Sequence, residues 1–176
     1  SCDVARFGDD EIVIQFGRGN ALLEQQISYQ QSLMETVGRI INVRKKHNAK
    51  ILVIDDIGVG GGVTDRLREM KERVLPIIAG GKALHEDKYH NLKTEMWFYA
   101  AELFRTGEVS ILNDPILVRQ LSAVKYSIRS NGKLQIERKD ETKQRLGSSP
   151  DRADAFIMLL WGAKNQRDPA RDFSRK

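Results

Sequence analysis

The stretch Ile51-Leu52-Val53-Ile54-Asp55-Asp56 constrains the fold more than any other part of the chain. Four apolar residues in succession, with no alternation, describe a strand buried on both faces. Such strands belong to α/β sheets covered by helices on each side. Two carboxylates close the run, and the glycine cluster Gly58-Val59-Gly60-Gly61-Gly62 follows. A strand, a glycine-rich loop and a helix in that order put a ligand crevice at the carboxyl end of the strand. Asp55 stands at that end and is the strongest single candidate for chemistry. Asp56, one residue on, faces the other side if the strand persists.

The remaining elements build a mixed sheet around this strand. Gly8-Asp9-Asp10 is a turn signal, so Asp3 to Phe7 and Glu11 to Phe16 read as a hairpin. A short third strand is expected near Ala21 to Gln25. A helix lies within Ser28 to His47, with Leu33, Val37, Ile40 and Ile41 at helical spacing. Ser28 with Gln31 and Ser32 with Glu35 both form capping-box pairs, which leaves two possible starts. Val63, Leu67, Met70 and Val74 mark a helix face after the glycine loop, and Leu75 to Ala79 a further strand. Leu92, Met96, Tyr99 and Leu103 mark a long helix. Asp114-Pro115 opens another, as cap and first residue. Asn131-Gly132 is the favoured tight turn of a hairpin spanning Lys125 to Glu137. A last helix runs from Pro150 to about Lys164, followed by a polar tail. The expected architecture is α/β, a mixed central sheet with helices on both faces plus an additional hairpin.

Aspartates recur where carboxylates are costly. Asp3 lies on a predicted central strand, where aspartate is depleted. Asp151 and Asp154, three apart, share a helix face. Asp151 falls in the first turn, where a carboxylate also serves the helix dipole. Asp154 sits deeper, between Ala153, Ala155 and Phe156, whose small members let the helix approach the sheet. Asp9 and Asp10 occupy a turn, a routine place for aspartate, with an accessory role for Asp9 as the sharper alternative. Two carboxylates about 4 Å apart repel by roughly 4 kcal/mol at an effective dielectric near 20. Converging acids therefore call for cations, and an all-oxygen donor set suits Mg²⁺ or Mn²⁺.

Charge points to the partner. The chain of 176 residues has 29 Lys+Arg against 24 Asp+Glu, a net charge of +5. A basic protein that also clusters acids fits a polyanion processed with divalent ions. The hairpin residues Arg129 and Lys133, with Arg6 and Lys139, are candidate phosphate contacts; a solvated edge hairpin is the plain alternative. The single cysteine, Cys2, excludes an internal disulfide and fits a reducing compartment. No apolar run is long enough to span a bilayer. His47, His85 and His90 lack metal-ligand spacing and read as surface residues. The glycine cluster has no Gly-Lys-Ser/Thr ending and so is no Walker loop. Because the chain starts almost inside a strand, it is expected to be part of a longer polypeptide.

Several segments together resemble the nuclease domain of the tailed-phage large terminase subunit, the DNA-packaging motor protein. They are Asp3-Val4-Ala5-Arg6-Phe7-Gly8-Asp9-Asp10; Val53 through Val63 with Asp65-Arg66-Leu67; and Asn91, Lys93, Glu95 and Trp97 on one helix. Ile136-Glu137-Arg138-Lys139-Asp140 and Ser149-Pro150-Asp151-Arg152-Ala153-Asp154-Ala155 complete the set. The resemblance implies an RNase H-like fold over residues 1–165, with 166–176 as the polar tail. It implies a two-metal endonuclease that cuts concatemeric double-stranded viral DNA. The acidic triad is then Asp3, Asp55 and Asp154, with Asp151 a further metal ligand and Asp9 and Asp56 possible accessories. Two Mg²⁺ or Mn²⁺ ions are the implied cofactors. Implied partners are double-stranded DNA, an ATPase domain upstream in the same polypeptide, the portal protein and the small terminase subunit. The implied location is the host cytoplasm, transiently at the procapsid portal. The rival readings are a Holliday junction resolvase or RNase H on the same fold, and a non-catalytic nucleotide-binding or motor-coupling module.

Overall fold

The computed structural model describes residues 1–5 and 10–167. Strands β1 (Cys2–Asp3), β2 (Ile12–Arg18) and β3 (Ala21–Ser28) come first, then helix α1 (Leu33–His47). Strand β4 (Leu52–Asp55), helix α2 (Gly60–Glu69) and strand β5 (Val74–Ile77) follow. Helices α3 (Leu92–Arg105) and α4 (Pro115–Ala123) precede the hairpin β6 (Tyr126–Ile128) and β7 (Leu134–Ile136). Helices α5 (Lys139–Leu146) and α6 (Asp151–Arg167) end the described chain.

The five-stranded sheet has the order β3-β2-β1-β4-β5. β1 runs antiparallel to β2 and parallel to β4, and β4 runs parallel to β5. The sheet is thus mixed, as expected. Side-chain alternation on β4 divides the core. Leu52 and Ile54 pack with Val37, Ile40 and Ile41 of α1 and with Val63 and Leu67 of α2. Val53 packs on the opposite face with α3, α4 and α6. An apolar strand between two helical layers is what the unbroken run at 51–54 demands.

Several boundaries differ from expectation for local reasons. Strand β3 extends to Ser28, three residues beyond the expected end, because it pairs with β2 over its whole length. The start of α1 is decided in favour of Ser32. Its side chain accepts a hydrogen bond from Glu35 N, and Ser32 N in turn donates to the Glu35 carboxylate. Helix α2 is shorter than its apolar pattern suggested. Met70 is its exposed C-terminal cap and Val74 already belongs to β5. Helix α5 leaves no mark in the apolar pattern, because Thr142 is its only buried residue and no apolar stripe announces it. His47 is half-buried rather than superficial, stacked on Phe16 at 3.9 Å between ring centroids. Helix α6 continues past Lys164 to Arg167.

Two glycines serve close approach. A Cβ on Gly162 of α6 would lie 2.4 Å from Val53 Cγ2, so this glycine lets α6 settle onto β4. A Cβ on Gly60 would lie 1.6 Å from the carbonyl oxygen of Asp55. The glycine loop therefore folds directly back over the end of β4, and no side chain fits there.

Candidate metal centre

The register brings two of the acids together before any side chain is considered. Cys2 pairs with Ile54 across the parallel β1–β4 ladder. Asp3 and Asp55 are each one residue further on, so they are neighbours on the face opposite Cys2 and Ile54. Cys2 and Ile54 face α1 and α2, so the acids face α6. The first turn of α6 crosses above them. Ala153 and Ala155, both fully buried, let it approach closely. Asp151 and Asp154 descend from that turn.

Two lysines occupy the centre of the cluster. Lys139 Nζ lies 2.9 Å from Asp151 Oδ1, 3.3 Å from Asp3 Oδ2 and 3.6 Å from Asp154 Oδ2. Lys93, in the first turn of α3, reaches both oxygens of Asp154, at 3.0 and 3.1 Å. Asn91 caps that helix by accepting a hydrogen bond from Thr94 N at 2.9 Å, which fixes the turn carrying Lys93. Asp151 Oδ2 also accepts a hydrogen bond from Glu11 N at 3.0 Å. Asp55 Oδ1 accepts one from Ile57 N at 3.2 Å.

The ionisation of the four acids reflects this placement. Burial pushes the Asp3 carboxyl up to about 7; Lys139 opposes the shift, while the neighbouring Asp151, Asp154 and Asp55 reinforce it. Burial also raises Asp55 and Asp151, against the pull of Lys139 on each. Asp154 goes the other way. Burial would raise it, but Lys93 and Lys139 outweigh that and hold it below the usual range. Trp97 Nε1 is buried without a well-formed hydrogen bond, yet the indole N–H favours the charged form of Asp154. Lys139 loses by desolvation and gains more from Asp3, Asp154 and Asp151, so its ammonium stays charged.

A divalent ion fits the chemistry of this cluster better than its present spacing. The donors are all carboxylate oxygens, the set that Mg²⁺ and Mn²⁺ take. Among the described residues no three acids stand ready-spaced to hold a metal ion. The Lys139 ammonium stands among three of them instead, a tethered cation where charge neutralisation is needed. Asp3, Asp55, Asp151 and Asp154 are the residues that would hold an ion. With four carboxylates against two ammonium groups, the site retains capacity for more positive charge.

The other predicted site residues are dispersed. Asp56 makes none of the cluster's ion pairs; its N–H pairs with Ile77 O at 2.9 Å and its Oδ1 is buried without a partner. Arg6 and Asp9 lie outside the described residues. Arg129 is exposed on the hairpin and donates to Gln135 Oε1 at 2.7 Å, while Lys133 is half-buried there. Lys139, read as a phosphate contact, sits among the carboxylates. Lys93 and Lys139 are thus part of the site, a role that sequence reasoning missed. A lysine two residues beyond a helix cap carries no sign of a distant carboxylate partner.

No protein-family model and no curated protein matches the chain. Solved structures do. The nuclease domain of the large terminase subunit gp2 of bacterial virus Sf6 superposes with a TM-score of 0.70 at 18% identity, covering 89% of this chain and 84% of that one. A variant of that domain, with manganese and beta-thujaplicinol, gives 0.73 at 17% identity over the same shares. The large terminase nuclease from thermophilic phage G20c with bound magnesium gives 0.71 at 15% identity, covering 91% and 78%. The mixed five-stranded sheet with its helical layers accordingly has the fold of these nuclease domains, RNase H-like as expected, and the small hairpin sheet is present besides.

Proposed function

We propose that this chain is the nuclease part of a terminase large subunit, a divalent-metal endonuclease that cuts concatemeric double-stranded viral DNA during packaging. One observation carries the reading: β1, β4 and the first turn of α6 bring Asp3, Asp55, Asp151 and Asp154 to one end of the sheet, with Lys139 between Asp3, Asp151 and Asp154 and Lys93 on Asp154. The likeness to nuclease domains solved with manganese and magnesium supports it.

Asp3, Asp55 and Asp154 are the core ligands of this proposal, with Asp151 as the fourth. Divalent ions held there in pairs would supply an activated water and charge stabilisation for the leaving oxygen of an in-line displacement. The protein's own part is positioning. The β1–β4 register sets the Asp3–Asp55 spacing, and Lys93 keeps Asp154 ionised. Arg129 and Lys133 are offered to DNA phosphates, which position a duplex without reading its sequence. The upstream ATPase, the portal, the small subunit and residence at the procapsid belong to the same proposal.

Plasmid cleavage tests it. The protein is expected to nick and linearise supercoiled plasmid with Mg²⁺ or Mn²⁺ and not with chelator, and Asp55→Asn to abolish cutting. Equal cutting by that variant would remove the site assignment. Preference for a four-way junction or an RNA–DNA hybrid would redirect the reading to a resolvase or an RNase H. Tight ATP binding without cleavage would favour the motor-coupling module.

A further inference from the structure

On the other side of the same helical turn lies a second charged cluster that the proposed chemistry does not use. Arg152, between Asp151 and Asp154 in sequence, extends away from them. Its Nε and Nη2 donate to the two oxygens of Glu11, each at 2.7 Å. Its Nη1 donates to both oxygens of Asp114, at 2.9 and 3.1 Å. All three side chains are nearly buried, at 12–14% exposure. The two acids are anchored in turn. Tyr29 Oη donates to Glu11 at 2.8 Å, and Gln25 Nε2 donates to Asp114 at 2.6 Å. Asp114 also caps α4 through Ile116 N and Leu117 N.

Backbone atoms of the turn are held from the same sides. Gln15 Nε2 donates to Arg152 O at 3.0 Å, and Ala153 N donates to Gln120 Oε1 at 3.0 Å. The link to the acid site is direct: Glu11, which Arg152 grips by its carboxylate, donates its own N–H to Asp151 Oδ2. Resting on the nuclease reading, we propose that Arg152 is a positioning residue for the metal centre. By clamping β2 through Glu11 and α4 through Asp114, it sets where the first turn of α6 presents Asp151 and Asp154. A planar guanidinium that grips Glu11 through two nitrogens and Asp114 through the third fixes orientation as well as distance, which an ammonium cannot do.

Mn²⁺ binding, followed by electron paramagnetic resonance of the free ion, separates this role from plain stabilisation. Arg152→Met is expected to weaken Mn²⁺ binding by about 10- to 100-fold, the range for outer groups that orient metal ligands. Arg152→Lys should recover part of the lost Tm but not the affinity. Ile40→Ala, a core change in α1 far from this turn, should lower Tm while binding Mn²⁺ as wild type does. In metal-free protein, amide hydrogen exchange at Glu11 and through the first turn of α6 should quicken in Arg152→Met and not in Ile40→Ala. Wild-type Mn²⁺ affinity or wild-type exchange in Arg152→Met would overturn the proposal. Absence of Mn²⁺ binding by the wild-type protein would overturn the nuclease reading instead, with the exchange rates still deciding whether Arg152 positions the turn.

Discussion

The first turn of α6 carries two charged clusters on opposite sides, and they are built on opposite principles. Around Arg152, one guanidinium meets two carboxylates, and Gln25, Tyr29 and backbone N–H groups supply further donors. Both carboxyls there are held below their ordinary range: hydrogen bonds from Arg152 lower Glu11 despite its burial, and those from Gln25 and Arg152 overcome the desolvation of Asp114. Around Lys139, four carboxylates share two ammonium groups, and burial raises three of the four. A satisfied network holds a fold together. An undersupplied one stores a demand for cations, which is where function is expected.

Removing an acid should therefore have opposite consequences on the two sides. The largest effect is expected in activity. Asp55→Asn should lower metal-dependent cleavage by on the order of 10³-fold or more, as for loss of a member of a catalytic unit. Its Tm should stay level or rise, because a carboxyl that burial disfavours has been replaced by a neutral group. Plasmid cleavage and calorimetry on one preparation check both halves. Arg152→Met should do the reverse in stability. Breaking a buried pair by removing one partner costs about 3–5 kcal/mol, here by stranding Glu11 and Asp114. Urea denaturation reads that loss directly, and a change below about 1 kcal/mol would contradict the contrast between the clusters.

How far the sequence revealed this contrast depends on the residue. Asp55 was legible because the apolar run ends on it and the strand-loop-helix order says what lies at a strand end. Asp154 was legible from its alanine neighbours, which the structure uses for close approach. The pairing of Asp3 with Asp55 was only half legible, since hairpin signals fix β1 against β2 but no local signal fixes a parallel β1–β4 register. Arg152 was invisible as a clamp: its partners lie 141 and 38 residues away. The place of Lys139 among the acids is hidden for a related reason. It stands at the start of α5, whose polar sequence carries no stripe to say which side turns inward to the acids.

The undersupplied cluster should also show itself through pH. Asp3 is raised from the ordinary 3.8 to about 7. The folded protein then keeps a proton that the unfolded chain gives up at lower pH, so this group's stabilisation is complete below 3.8. It is lost as pH rises through about 7. Tm without divalent ions should fall over that interval, and Asp3→Asn should flatten the fall. Added Mn²⁺ favours the ionised carboxylates, so its stabilisation should be larger at pH 8 than at pH 5. Saturation at 100 times Kd would contribute about 2.7 kcal/mol. A Tm profile indifferent to both Asp3 and Mn²⁺ would erase the difference between the two clusters.

The smallest effect is expected at the rim, where the distinction between the clusters should vanish. Lys143, one turn beyond Lys139 on α5, pairs with Asp10 at 2.6 Å. The distance is as short as any in the Arg152 network, but the side chains are 47% and 39% exposed. Water screens such a pair and can replace either partner, so geometry alone confers little. Lys143→Ala should change stability by less than about 1 kcal/mol, and by less still in high salt. Its Mn²⁺ affinity should match wild type, because Lys143 makes no ion pair with Asp3, Asp55, Asp151 or Asp154. A loss comparable to that of Arg152→Met would mean that α5 is held onto the acid site through Lys143. The boundary of the undersupplied cluster would then have to move outward to include Asp10.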